Sequence, residues 1–250
     1  NVAWVHHRVH ARAGRSEAPV IAQLSPAMAA VSSFADNTSR DRTRLFACAW
    51  DTIRTSGYTN FGVESGAVCV LHTWGQNLSL HPHVHCIVPA AGLSLAGNWK
   101  HIAQSGKYLF PVTKLSVDFR SHFLKGLKGW LTRQNLLKKY QDVIDSAWGK
   151  PWVVYCESSM AGPEHVIGYL ANYTLRVAIT NSRIVNITDT HVTFLHKDYA
   201  KGARVIPITL DGVEFLRRFC QHILPKKFVK IRRFGVYSSR YKALTTEKVT

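Results

Sequence analysis

Hydrophobic and polar positions change period several times along this chain, and the changes predict its elements. Leu45, Phe46, Cys48, Ala49 and Ile53 recur at helical spacing and stop at Gly57, which predicts a short amphipathic helix. Two strand-like runs follow, 66–74 and 84–88, joined by a polar stretch over 75–83, and together they predict a β-hairpin or adjacent antiparallel strands. Residues 92–106, punctuated by Gly and Asn, read as a loop. Leu115, Phe119, Phe123, Leu127, Trp130 and Leu131 keep helical spacing and predict a long helix, with a second over 136–144. A strand is expected over 151–156, and Pro163 is placed to open a helix running through Tyr173 to about 177. Three more strands are expected at 184–187, 191–196 and 205–210. Asp211 is the expected cap of a final helix through Phe215, Phe219 and Ile223, stopped before Pro225. Strands with helices on one side, and no strict βαβ alternation, predict an α+β fold with a mainly antiparallel sheet.

The organisation is uneven. Residues 1–43 are rich in Ala, Ser, Arg and His without a sustained period, and the sequence predicts a poorly defined, disordered segment there, with loop over 25–41. The functional domain is expected over 44–242, followed by a tail at 243–250. The opening Asn1, Val2, Ala3 and Trp4 lack an initiator Met and the pattern of a signal peptide, so the chain reads as a fragment of something longer.

Composition narrows the class. The chain has 250 residues, 46% hydrophobic and 19% charged, the profile of a globular protein. It contains no apolar run of about 18 residues, so no membrane-spanning helix is expected. The five cysteines lie far apart with no C-x-x-C pair, which argues against a disulfide framework or zinc knuckle and for buried thiols in a reducing compartment. Lys and Arg number 32 against 15 acids, a formal charge of +17, and that excess points to a polyanionic partner. The charge also has position. Residues 217–242 hold nine Lys or Arg and no acid, interleaved with Phe219, Phe228, Phe234, Tyr237 and Tyr241. Residues 114–139 hold seven Lys or Arg against the single acid Asp118. Cations neutralise phosphates and aromatic rings stack on unpaired bases, so the two tracts together are the expected strand-binding surface. Lys226, Lys227, Lys230, Arg232 and Arg233 represent the first tract, and Lys125 and Lys128 the second.

Two constellations carry chemistry. His83 and His85 are two apart at the start of an apolar strand, so both imidazoles point to one face and can share a divalent ion. His72 and His81 crowd the same stretch, and no Asp or Glu occurs between Glu64 and Asp118. A third ligand is therefore a neutral one from nearby or comes from another element. Gln76 is the candidate, with His72 and His81 as competitors. The second constellation is Tyr169 and Tyr173, four apart on the helix opened by Pro163, which sets both phenols on one helix face about 6 Å apart at Cβ. A phenol with a pKa of about 10 is a weak nucleophile until a base or a polarised phosphate assists it.

With these residues in view, the chain resembles the two-tyrosine HUH transposases of rolling-circle insertion sequences. The likeness rests on three stretches: 70–89 with His83 and His85, 167–174 with Tyr169 and Tyr173, and 224–232 with Lys226, Lys227, Lys230 and Arg232. It spans roughly 44–242. The resemblance implies an HUH-endonuclease-like central antiparallel sheet, flanked by helices, with the tyrosine helix packed by the metal site. It also implies a divalent cation, Mg²⁺ or Mn²⁺, and a partner that is single-stranded DNA at element ends, met in a bacterial cytoplasm at the nucleoid. The expected activity is single-strand nicking and strand transfer through a 5′-phosphotyrosine. The chain departs from the family in showing no N-terminal Cys/His zinc module, and residues 1–43 look unlike it. An alternative is a truncated, inactive DNA-binding remnant of such a transposase; the intact His83, His85, Tyr169 and Tyr173 favour the enzyme. A metal-dependent RNA-binding protein fits less well, since neither an RRM nor a KH signature is present.

Overall fold

The computed structural model describes residues 20–26, 39–102, 110–156, 176–198 and 202–241, together with Glu164, Gly168 and Ala171. Its centre is a five-stranded antiparallel sheet made of β1 (Val20–Ser25), β3 (Gly66–Trp74), β4 (Leu80–Val88), β7 (Val153–Cys156) and β11 (Ile231–Gly235). Across the sheet the strands run in the order β11-β3-β4-β1-β7. One face is covered by α1 (Ser39–Phe61) and α2 (Val112–Arg133), with α3 (Leu137–Gly149) packed beside α2. The alternation of the strands selects that face. Ala22, Leu24, Cys69, Leu71, Val84, Cys86, Val154 and Cys156 turn toward the helices and join Phe46, Ile53, Phe119, Leu124 and Leu127 in the main core.

The expected hairpin, long helix, second helix and late strands are all present. Two strands of the central sheet depart from the sequence reading. Val20–Ser25 falls inside the segment expected to be poorly defined, yet it forms β1 between β4 and β7. The reason is a short alternation: Ala22 and Leu24 are buried while Gln23 is not fully so, a period-2 signal too brief to stand out among its Ala- and Ser-rich neighbours. β1 and the start of α1 therefore lie N-terminal to residue 44. Within the first basic tract, Ile231–Gly235 forms the edge strand β11, in which Arg232 and Phe234 turn to the helix side while Ile231 and Arg233 are exposed on the other. Gly235 ends it at φ +55, where a Cβ would lie 2.1 Å from the Ser65 carbonyl oxygen, so only glycine fits.

The described residues also form two smaller sheets. The stretch 92–106, read as loop, contributes to β5 (Ala91–Ser94) and β6 (Trp99–His101), which pair with each other while β5 also pairs with β2 (Val63–Glu64). The Gly and Asn that suggested a loop form the turn between two very short strands. The other sheet, β8 (Ile184–Ile187), β9 (His191–Asp198) and β10 (Arg204–Asp211), carries α4 (Gly212–Cys220). Asp211 caps α4 as expected, its carboxylate accepting from the Val213 and Glu214 amides. This second lobe closes over the tip of the β3–β4 hairpin, and Leu78 from that tip is buried with Ala178 and Phe194.

Candidate metal centre and nucleic-acid interface

The hairpin register builds the site. β3 and β4 pair Val70 with His85 and His72 with His83. Because side chains alternate, the three histidines share the sheet face opposite α1 and α2. All three are buried, and one nitrogen from each lies within 4.8 Å of the others. Ring centroids are 4.7 Å apart for His72–His85, 4.9 Å for His83–His85 and 5.4 Å for His72–His83.

The rings are prepared as ligands. His83 Nδ1 donates to the His81 carbonyl at 2.7 Å, which leaves Nε2 with a lone pair. Burial pushes the His83 imidazole down to about 3, with His72, His81 and the Arg176 guanidinium adding to the effect against that hydrogen bond. Burial also lowers His85 to about 2, reinforced by His83, His72 and Arg176. Both stay neutral at physiological pH, the form that binds metal. Three convergent imidazole nitrogens, one held in a defined tautomer, fit a divalent cation.

A layer of aromatic and polar groups backs the triad. Trp74 stacks on His72 with centroids 4.9 Å apart, and His222 meets Trp74 edge-on at 6.1 Å. His222 Nε2 donates to the Leu78 carbonyl at 3.1 Å, so its Nδ1 accepts from the Thr73 hydroxyl at 3.2 Å. On β1, Gln23 pairs in register with His85 and donates to Ser25 Oγ at 3.4 Å. No motif in the sequence marks Gln23, since only the strand pairing brings it there.

The expected site residues separate into those the fold brings together and those it does not. His83 and His85 meet as expected, and His72, one of the two competitors, supplies the third nitrogen. Gln76 lies in the turn between β3 and β4, its backbone carbonyl accepting from Arg183. His81 lends its carbonyl to His83, with its ring 5.3 Å away. Tyr169 and Tyr173 lie outside the described residues; Glu164, Gly168 and Ala171, from the same stretch, are helical and exposed.

The basic residues part in the same way. Arg233 is exposed on the triad face of β11, and Lys226 and Lys227 are exposed on the turn before it. Lys230 lies over the Trp74 ring at 5.3 Å. Arg232 turns to the helix side, 4.7 Å over Phe46 and 5.7 Å over Phe228, and donates to Thr43 Oγ1 at 2.9 Å. Lys125 and Lys128 are exposed on α2, whose buried side packs on the face away from the triad. Arg233 thus lies on the triad face of the sheet, and Lys125 and Lys128 on a helix that covers its other face.

The model of the transposase family Y2_Tnp, described as "Putative transposase", matches residues 66–244. The chain belongs to this two-tyrosine transposase family. It is 39% identical over 214 residues to "Putative transposase y4qJ" of Sinorhizobium fredii, covering 79% of this chain and 53% of that protein. It is 27% identical over 199 residues to "Transposase for insertion sequence element IS801" of Pseudomonas savastanoi pv. phaseolicola, covering 72% of this chain and 45% of the relative. The chain spans about half the length of these curated relatives. No solved structure matches it. Among the described residues, no helix is long and apolar enough to cross a membrane.

Proposed function

We propose that this transposase chain carries the HUH-type nicking and strand-transfer centre of a rolling-circle element, acting on single-stranded DNA. The observation that carries the reading is the His72, His83 and His85 triad, set by register on the sheet face opposite α1 and α2. His72, His83 and His85 would hold a Mg²⁺ or Mn²⁺ ion, which when bound would supply Lewis-acid polarisation of the scissile phosphate. His83 and His85 act here as neutral ligands, with the His81 carbonyl fixing the His83 ring. Tyr169 and Tyr173 are the paired nucleophiles. One phenol loses its proton to solvent and its oxygen bonds to phosphorus, while the P–O3′ bond breaks and the departing 3′ oxygen takes up a proton. The product is a 5′-phosphotyrosine and a free 3′-hydroxyl, which conserves a phosphodiester for later joining. The second phenol, one helical turn away, serves a second cleavage while the first strand stays attached. Arg233, Lys226, Lys227 and Lys230 neutralise the strand's phosphates from β11 and its preceding turn.

The test is incubation with a labelled single-stranded library and Mn²⁺, followed by denaturing electrophoresis. Wild type forms a covalent protein–DNA adduct. Tyr169→Phe with Tyr173→Phe abolishes it while DNA affinity survives, and His83→Ala abolishes nicking with single-strand binding largely intact. A surviving adduct in the double Phe variant would place the nucleophile elsewhere. Binding without any adduct in wild type would favour an inactive remnant.

A further inference from the structure

Two cations border the triad. Lys230 Nζ donates to the Arg176 carbonyl at 3.3 Å and stands 5.3 Å from the centroid of the Trp74 ring, the same indole that stacks on His72. The Arg176 guanidinium lies close enough to act on His83, His85 and Arg183. Arg176 is also only three residues beyond Tyr173 along the chain.

The donor set makes this arrangement unusual for Mg²⁺ or Mn²⁺. Such ions ordinarily draw on carboxylates, which supply negative charge as well as oxygen. The three ligands here are imidazoles, and residues 65–117 contain no Asp or Glu. A dication bound alone therefore meets no negative charge from its ligands and repulsion from Arg176 and Lys230. A phosphate brings both missing pieces, an anionic oxygen for the ion and a counter-charge for the two side chains.

We propose that Arg176 and Lys230 clamp a DNA phosphate beside the His72, His83 and His85 triad, and that this phosphate completes the cation site, so strand and divalent ion bind cooperatively. The inference rests on the metal-and-strand reading of the site given above. Linkage makes the effect reciprocal: whatever factor the strand adds to ion affinity, the ion adds to strand affinity. The two basic side chains then oppose the ion when DNA is absent and favour it when DNA is present.

That change of sign is the test. Free Mn²⁺ is followed by its electron paramagnetic resonance signal in the Tyr169→Phe, Tyr173→Phe background, which keeps the strand uncleaved. Titrations run with and without a mixed-sequence single strand of about twenty nucleotides, long enough to cover one binding groove. The strand should tighten Mn²⁺ binding by about 10-fold or more, within the usual range of couplings between sites. Adding Arg176→Gln and Lys230→Gln should tighten Mn²⁺ binding in the absence of DNA, weaken strand binding, and remove most of the coupling. Arg176→Lys with Lys230→Arg, which keeps both charges, should retain coupling. A structural role for the two residues would lower both affinities together, and that outcome overturns the proposal. So does a wild-type Mn²⁺ affinity unmoved by the strand, although metal and DNA binding would both stand. Failure of Mn²⁺ to bind with or without DNA would instead remove the metal-site reading itself.

Discussion

The five-stranded sheet and the second lobe solve the same packing problem with unequal means. The central sheet is backed by three helices and a core that includes Phe46, Phe119, Leu124 and Leu127, all fully buried or nearly so. The second lobe centres on Phe194 and Ala178, and completes its core with Leu78, which belongs to the other lobe's hairpin. Val185, Ile187, Val205, Val213, Leu216 and Ile223 remain exposed on or beside it. A lobe this thin is held by its docking. Arg183, Arg218 and His222 donate to the successive carbonyls of Gln76, Asn77 and Leu78, one each. Those carbonyls form the tip of the hairpin whose next strand carries His81, His83 and His85. The thick core thus fixes the sheet on which the triad stands, and the thin lobe fixes the turn that leads into it.

Phe194→Ala breaks the comparison hardest. Truncating a fully buried Phe costs about 3–5 kcal/mol, and this lobe has few other buried side chains to share the burden. Amides of β9 and β10 should lose hydrogen-exchange protection, while those of Val84–Val88, Phe119 and Leu124 keep theirs. Equal deprotection in both regions would mean that the molecule is one cooperative unit and that the lobes do not differ as argued.

How legible these two regions were in the sequence follows the same division. The hairpin and α2 announce themselves because they bury a full stripe, Leu115 to Leu131 on the helix and the apolar run of 66–74 on the strand. β1 and β11 were hidden because each sends only two side chains into the apolar core, Ala22 and Leu24 in one and Phe234 with the Arg232 stem in the other. The place of His72 beside His83 and His85 was not available from spacing. It depends on which residue stands opposite His83, and an irregularity between His72 and Trp74 shifts the register beyond it. Arg176 and Gln23 carried no sequence signal at all, since their neighbours at the site come from other strands.

Acid should sharpen the contrast by acting on the triad. The folded protein holds His83 at about 3 and His85 at about 2, both below the ordinary 6.5. Above pH 6.5 both are neutral folded or unfolded, so their contribution is fully present. As pH falls below 6.5 the unfolded chain takes up protons that the folded site refuses, and stability drops until the folded values are reached. Each histidine costs up to about 1.4 kcal/mol per pH unit, or about 2 kcal/mol apiece at pH 5. The urea midpoint of the metal-free protein should therefore fall clearly from pH 7.5 to pH 5, with the hairpin amides around His83 and His85 opening before the α1–α2 core. A midpoint unchanged between those pH values would refute the burial of neutral imidazoles.

The smallest effects distinguish a cation that packs from one that binds. Arg232 lies over Phe46 and Phe228 and donates to Thr43, so it closes the edge of the thick core. Arg232→Ala should cost about 1 kcal/mol by removing the stacking on both rings and the hydrogen bond, and leave the salt dependence of strand binding unchanged. Lys226 and Lys227 stand exposed on the turn before the same strand, and Lys227 is held at φ +66. Glycine takes that conformation without strain, so Lys226→Ala with Lys227→Gly should leave stability within about 0.5 kcal/mol. It should flatten the log-affinity against log-salt slope by about 0.7 for each phosphate that is no longer neutralised. Chemical denaturation and fluorescence anisotropy at several salt concentrations read the two quantities separately. If Arg232→Ala moved the salt slope and the lysine pair did not, the assignment of packing and binding cations along residues 226–233 would be reversed.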